Sequence, residues 1–262
     1  MLTLNAKKTK FILFKKQESH IHLGELLIGG EAISRVGESC DEKSFKFLGH
    51  HLDENLTWSH HIDFINKRLV SANFALSRSK AFLPSKILKC IYRSLFESHL
   101  HFGSIIWGCA RPKIINKLVV QQKKAIRHIN KLKYNFHTSE AFKQLGYLKI
   151  PDLISFNQAV FIRNYSNKKL PSSFNNMFST APNNDNIRRN RHDDYDYFFP
   201  PVINADLHYF PKSQLIYNWN NLPILVKSVS DPLNFRSDLK NNFTAKYETI
   251  CHDLNCYSCL PY

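Results

Sequence analysis

The start of the chain alternates short apolar runs with turn residues. Phe11 to Phe14 is one such run, Glu25 to Ile28 leads into Gly29-Gly30, and Ala32 to Val36 follows. Two extended runs joined by Gly-Gly predict a hairpin. A further run, Phe45 to His51, predicts a third strand that completes a small antiparallel sheet. From Trp58 the period turns helical: Ile62, Ile65, Leu69, Ala72 and Leu76 recur at spacings of three and four, with Asp63 in the first turn. Pro84 suits the first turn of a second helix with Ile87, Ile91, Leu95 and Phe102 on its apolar face, and Pro112 opens a third helix to about Leu132. A short helix from Thr138 to Leu145 closes at Gly146. Pro151 begins another, carrying Leu153, Phe156, Val160 and Phe161.

Beyond residue 165 the period is lost. Residues 166–212 are rich in Asn, Asp, Ser and Pro and read as an irregular connector. Structure returns near Trp219, and Asp231-Pro232 reads as the N-cap and first turn of a last short helix through Phe243. The expected class is α+β: a small antiparallel sheet over 1–57, a helical bundle over 58–165, the connector, and a tail over 213–262. No run approaches twenty apolar residues, so no membrane span is expected. The N-terminus interleaves apolar residues with lysines and lacks the continuous apolar core of a secretory signal. Six cysteines, with Cys40, Cys90 and Cys109 isolated, do not suggest a disulfide framework. An intracellular setting, cytoplasm or nucleus, is expected.

Charge sharpens the picture. Between Phe64 and Ser139 stand 15 lysines and arginines and one acid, Glu97, so this segment carries +14 of the chain's net +15. An ordinary solvated surface intersperses acids, so such concentration points to a polyanionic partner. On a helical wheel of the third helix, Lys113, Lys117, Lys124, Arg127 and Lys131 fall within a sector about 80° wide. Ile115, Leu118, Val119, Ala125, Ile126 and Ile129 lie opposite, with Gln122 at their centre. One face is expected to dock on the core while the other presents a cationic ridge to phosphates, with no aromatic residue flanking it.

Several strings, in order, resemble one family. Leu4-Asn5, Lys8-Thr9-Lys10 and Phe14 open the series. Phe47-Leu48-Gly49, Leu52-Asp53 and Leu56-Thr57-Trp58 with His61-Ile62 come next, then Ser94-Leu95, Ser98-His99-Leu100, Phe102-Gly103 and Ile106-Trp107-Gly108. Gln122-Lys123-Lys124-Ala125-Ile126-Arg127, His137-Thr138, Phe142, Leu145 and Leu148-Lys149-Ile150-Pro151-Asp152-Leu153 continue it. Trp219-Asn220-Asn221-Leu222-Pro223, Phe235 and Leu239 end it. Together they resemble the C-terminal part of the reverse transcriptases of non-LTR, jockey-like retrotransposons.

The resemblance implies that the first strings are motif D of a palm, with Lys8 and Lys10 toward nucleic acid. It makes Phe47, Leu48 and Gly49 a primer grip, and residues 58–165 a thumb. The implied parent activity is RNA-directed DNA polymerisation on an RNA and DNA template-primer duplex, with Mg2+ held by palm aspartates. In the family those aspartates precede motif D, so this chain is expected to bind template-primer without catalysing transfer, and no catalytic residue is assigned. The acidic pair after the sheet region, Asp193-Asp194, sits in irregular sequence and lacks the strands a metal-binding hairpin needs. A co-opted nucleic-acid-binding or scaffold protein, and a truncated gene for an active enzyme, stay open beside this reading.

Two clusters bear on metal binding. His50, His51, His60 and His61 lie close in sequence, but neighbours on a strand point to opposite faces and no carboxylate or cysteine stands at ligand spacing. The tail places Cys251, His252, Cys256 and Cys259 within nine residues, and Cys256-x-x-Cys259 has zinc-knuckle spacing. If these hold Zn2+, the purified chain will contain about one zinc per molecule. Joint replacement Cys256→Ser and Cys259→Ser removes it; unchanged metal content in that variant rules the site out.

Overall fold

The structure is a computed structural model that describes residues 5–14, 24–37, 40–179, 196–198 and 209–247. The cysteine-bearing tail, Asp193-Asp194 and most of the connector lie outside these residues. The chain divides into two compact units, 1–64 and 65–262. The class is α+β, mostly helical with small two-stranded sheets.

Among its described residues the first unit holds six short strands: β1 (Lys10–Ile12), β2 (Leu27–Ile28), β3 (Glu31–Ala32), β4 (Ser34–Val36), β5 (Phe45–Phe47) and β6 (His50–Leu52). The Gly-Gly hairpin is present, with Leu27 opposite Ala32 and Ile28 opposite Glu31. The single antiparallel sheet is not. β1 pairs with β4 in parallel, and β5 pairs with β6 in a hairpin of its own. The run from Phe45 to His51 is broken by Leu48 and Gly49, at φ of 46° and 89°. Gly29 and Gly30 take 58° and 85°, so both hairpins turn through two left-handed residues, the geometry that matches strand twist. For Leu48 that backbone is costly, and its side chain is 79% exposed at the tip.

Buried Asp53 organises the exit from β6. Its carboxylate accepts from the Thr57 and Trp58 amides at 2.9 and 3.1 Å and from the Thr57 hydroxyl at 3.1 Å. The turn it closes puts Leu56 and Trp58 at positive φ and launches α1 (Ser59–Ser79). Ile62, Ile65, Leu69, Ala72 and Leu76 are buried as the period predicts.

In the second unit the next helix departs from expectation. It runs as α2 (Ser85–Tyr92), a π-turn (Arg93–Glu97) and α3 (Ser98–His101). The core takes Leu88, Tyr92, Phe96 and Leu100, while Ile87, Leu95 and Phe102 are exposed. Residues spaced by four drift about 40° per step around a regular α-helix. The looser π-turn absorbs part of that drift and keeps the four in line. Phe102 lies past the helix end with extended backbone.

α4 (Ser104–Trp107) buries Trp107, whose indole donates to the Phe102 carbonyl at 2.7 Å. Gly108 follows where a Cβ would stand 2.5 Å from Ile154, so only glycine permits this approach to α7 (Ile150–Ser166). α5 (Pro112–Ile129) ends three residues before the predicted limit. α6 (Ser139–Leu145) closes at Gly146 as expected. On α7 the buried positions are Ile150, Leu153, Ile154, Gln158, Ala159, Ile162 and Arg163, with Phe156, Val160 and Phe161 only half-buried. The buried face is rotated from the expected one, toward Ile154, Ala159 and Ile162, and it takes in two polar residues, Gln158 and Arg163.

The later helices pack on this same unit. α8 (Pro211–Asn220) lies on α7 and α4, α9 (Ile224–Lys227) on α10 (Pro232–Ala245), and α10 on α6 and α7. Asp231 caps α10 as predicted, accepting from the Asn234 amide at 2.8 Å. Lys227 is fully buried and donates to Asp196 at 2.6 Å and to the Asn220 carbonyl at 2.9 Å. Arg163 donates to the Lys227 carbonyl, its guanidinium 4.6 Å from the Phe235 ring centroid and 5.5 Å from that of Trp219.

At the centre lies Gln122. Its amide donates to the Tyr92 hydroxyl at 3.0 Å and the Leu148 carbonyl at 2.9 Å, and its oxygen accepts from the Ile150 amide at 3.0 Å. Gln122→Leu fills similar space but strands these groups, and will lower unfolding stability by about 3 kcal/mol. A urea titration that finds the midpoint unmoved refutes this.

Candidate nucleic-acid interface

The cationic ridge follows from the way α5 is held. Its buried face comprises the predicted Ile115, Leu118, Val119, Gln122, Ala125, Ile126 and Ile129, and Lys123 is buried beside them, which the wheel did not anticipate. Lys113 and Lys117 on the opposite side are exposed, and Lys124 and Arg127 are half-buried. From Lys113 to Arg127 the ridge runs about 21 Å at 1.5 Å per residue. Lys131 does not extend it along the helix. It sits beyond the end of α5, at φ of 52°, although its side chain is exposed.

Other cations gather at the C-terminal end of the ridge. His128 resists protonation, first because burial desolvates it and then because Lys80, Lys124 and Arg127 face it. His137 is depressed for the same reasons, with Lys149, Lys123 and Arg127 around it. An anionic ligand at this end would relieve charge repulsion among groups that the fold already holds together.

The expectation that no aromatic flanks the ridge is overturned. Arg127 donates to the Phe136 carbonyl at 2.9 Å, and its guanidinium lies 5.9 Å from the Tyr134 ring centroid. The loop after α5 folds back on the helix, a contact that sequence spacing does not reveal.

The remaining expected residues lie in the first unit. Lys8 is exposed on a short 3-10 turn, whereas Lys10 on β1 pairs with Glu42. Phe47 and Leu48 are exposed at the tip of the β5–β6 hairpin with Gly49. The sequence pattern assigns no role to Tyr247, which donates to the half-buried Asp152 carboxylate at 2.6 Å and accepts from the Lys149 amide at 2.8 Å.

Comparison with known proteins bears on this geometry. Over 115 residues, 42% of the chain, it is 29% identical to the RNA-directed DNA polymerase from mobile element jockey of Drosophila melanogaster. The chain is distantly related to a retrotransposon reverse transcriptase. The match covers 12% of the jockey polymerase's length. No family model matches, and no solved structure does. No described helix is long and apolar enough to cross a membrane.

The histidines do converge, but on one another. His50 Nδ1 lies 3.2 Å from His61 Nε2, and the His51 amide donates to His61 Nδ1 at 3.4 Å. Nδ1 is thus an acceptor, so neutral His61 carries its proton on Nε2 and donates to His50. No group of three metal-binding side chains is assembled among the described residues. Burial, then the charges of His50 and His51, push His61 from 6.5 down to about 4. Between those values the unfolded chain binds the extra proton, so stability present above pH 6.5 is lost as pH falls toward 4. The urea midpoint of the first unit will drop across this window, and His61→Gln will flatten the dependence. An equally steep decline in that variant would place its origin elsewhere.

Proposed function

We propose that this chain binds template-primer nucleic acid as part of a retrotransposon reverse transcriptase, with the α5 ridge seated on the phosphate backbone. The observation that carries the reading is the ridge itself: a line of cations about 21 Å long on a helix whose opposite face is locked into the core. Distant similarity to the jockey polymerase supports the same class of ligand. Contacts of this kind neutralise phosphates without reading bases, so affinity depends on salt and not on sequence. In this reading the first unit is the edge of a palm, with Phe47, Leu48 and Gly49 as its primer grip, and the helices of the second unit form the thumb. In this reading the side chains of the ridge bind the duplex and position it.

A polybasic helix lying on a membrane is the competing reading. It would want bulky apolar residues along its buried edge to enter the lipid, but those of α5 are occupied in the protein core.

Arg127 also holds the loop at Phe136, so the clean test leaves it in place. Replacing Lys113, Lys117 and Lys124 with Gln will weaken binding to an RNA–DNA duplex without moving the urea midpoint. The slope of log affinity against log salt will become shallower by about two to three units, since each phosphate contact contributes roughly 0.9. Wild-type affinity with an unchanged slope would remove the ridge from the interface.

A further inference from the structure

α1 bears a second stripe that the core does not use. Lys67, Val70, Ser71, Phe74 and Arg78 lie within a sector about 100° wide, opposite Leu69, Ala72 and Leu76. Phe74 is 62% exposed, and the turn after the helix raises Phe82, which is 87% exposed. Leaving two phenyl rings eight residues apart in water forfeits the burial such rings usually supply, and exposed apolar surface of this kind marks a binding surface. The Arg78 guanidinium lies 5.3 Å from the Phe74 ring centroid, so a flat apolar face and a planar cation stand together.

The stripe borders the ridge. Asn73, next to Phe74, donates to the Gln121 carbonyl and side chain on α5 at 3.0 and 2.9 Å. Seven residues on, Lys80 faces His128, seven residues beyond Gln121. Asn73 thus holds α1 against α5 at Gln121, and turning round α1 from Asn73 away from the core leads to Val70 and Phe74. On the far flank of the ridge stands Tyr134, 74% exposed and facing Arg127.

A duplex keeps its base faces stacked inward and offers these rings nothing flat to meet. An unpaired strand offers phosphates and base faces together, and aromatic side chains with arginine planes are what its bases stack on. A protein partner is the poorer occupant, because protein interfaces are depleted of lysine at their centres and this surface is set among lysines. We propose that Phe74 and Phe82 form a stacking platform for a single nucleic-acid strand whose backbone continues onto the α5 ridge. This rests on the nucleic-acid reading above and adds to it a second, unpaired ligand.

The test compares an oligo-dT strand, a strand of abasic sites of equal length and an RNA–DNA duplex, each titrated by fluorescence anisotropy into the full chain. Joint replacement Phe74→Ala and Phe82→Ala, at exposed positions, should leave the urea midpoint unmoved. It should weaken oligo-dT binding about tenfold or more while sparing the duplex and the salt slope. The abasic strand should bind wild type about as weakly as oligo-dT binds the variant. Equal losses on strand and duplex, or no loss on the strand, overturns the platform, as does an abasic strand that binds as tightly as oligo-dT. The lysine-to-glutamine variant separates the two proposals. If it weakens duplex and strand while the phenylalanine variant weakens neither, the platform alone falls. If neither variant nor wild type shows affinity for any probe, both do.

Discussion

Gln122 sits where no water competes, and its side chain must find partners inside the protein. It takes them from the Tyr92 hydroxyl, the Leu148 carbonyl and the Ile150 amide, which belong to α2, the loop before α7 and the first residue of α7. Apolar contacts tolerate small rotations of a helix about its axis; three directional hydrogen bonds do not. They set the rotation of α5, and with it the outward direction of Lys113, Lys117 and Lys124. A satisfied amide at the centre of an apolar face thus decides which way the charge points.

A second buried polar cluster ties the later helices to this core. Lys227 without exposure would be prohibitive alone, and it is tolerated because Asp196 and the Asn220 carbonyl accept hydrogen bonds from its ammonium. Asn220 in turn brackets Tyr197, accepting from its amide at 3.1 Å and donating to its carbonyl at 2.9 Å. Residues 196–198 are held by these contacts although the sequence around them looks irregular. A surface lysine and a loop aspartate read the same in sequence whether or not they meet.

Three of the strings behind the family resemblance are places where backbone geometry is held by side chains. Leu52-Asp53 with Leu56-Thr57-Trp58 is the turn that Asp53 closes, and Leu148 to Asp152 is the segment that receives Gln122 and Tyr247. Trp219-Asn220 packs against Phe235 and grips Tyr197. Replacing a residue at such a position disturbs folding, which gives these strings a recognisable spelling.

Periodicity by itself determined the long helices, the buried faces of α1 and α5, the hairpin at Gly29-Gly30 and the caps at Gly146 and Asp231, because each depends on residues within one turn or two of one another. It also located the charge, since a wheel drawn on α5 needs no neighbours. Tertiary structure decided the rest. Which strands paired, and that β1 joins β4 in parallel, depended on contacts between distant residues. The π-turn shifted the face of α2 and α3 by an amount no α-helical wheel contains. The fold-back of Tyr134 and Phe136 onto Arg127, and the alignment of Phe74 beside the ridge, arise where separate segments meet in space, and a linear pattern records only the spacing within each of them.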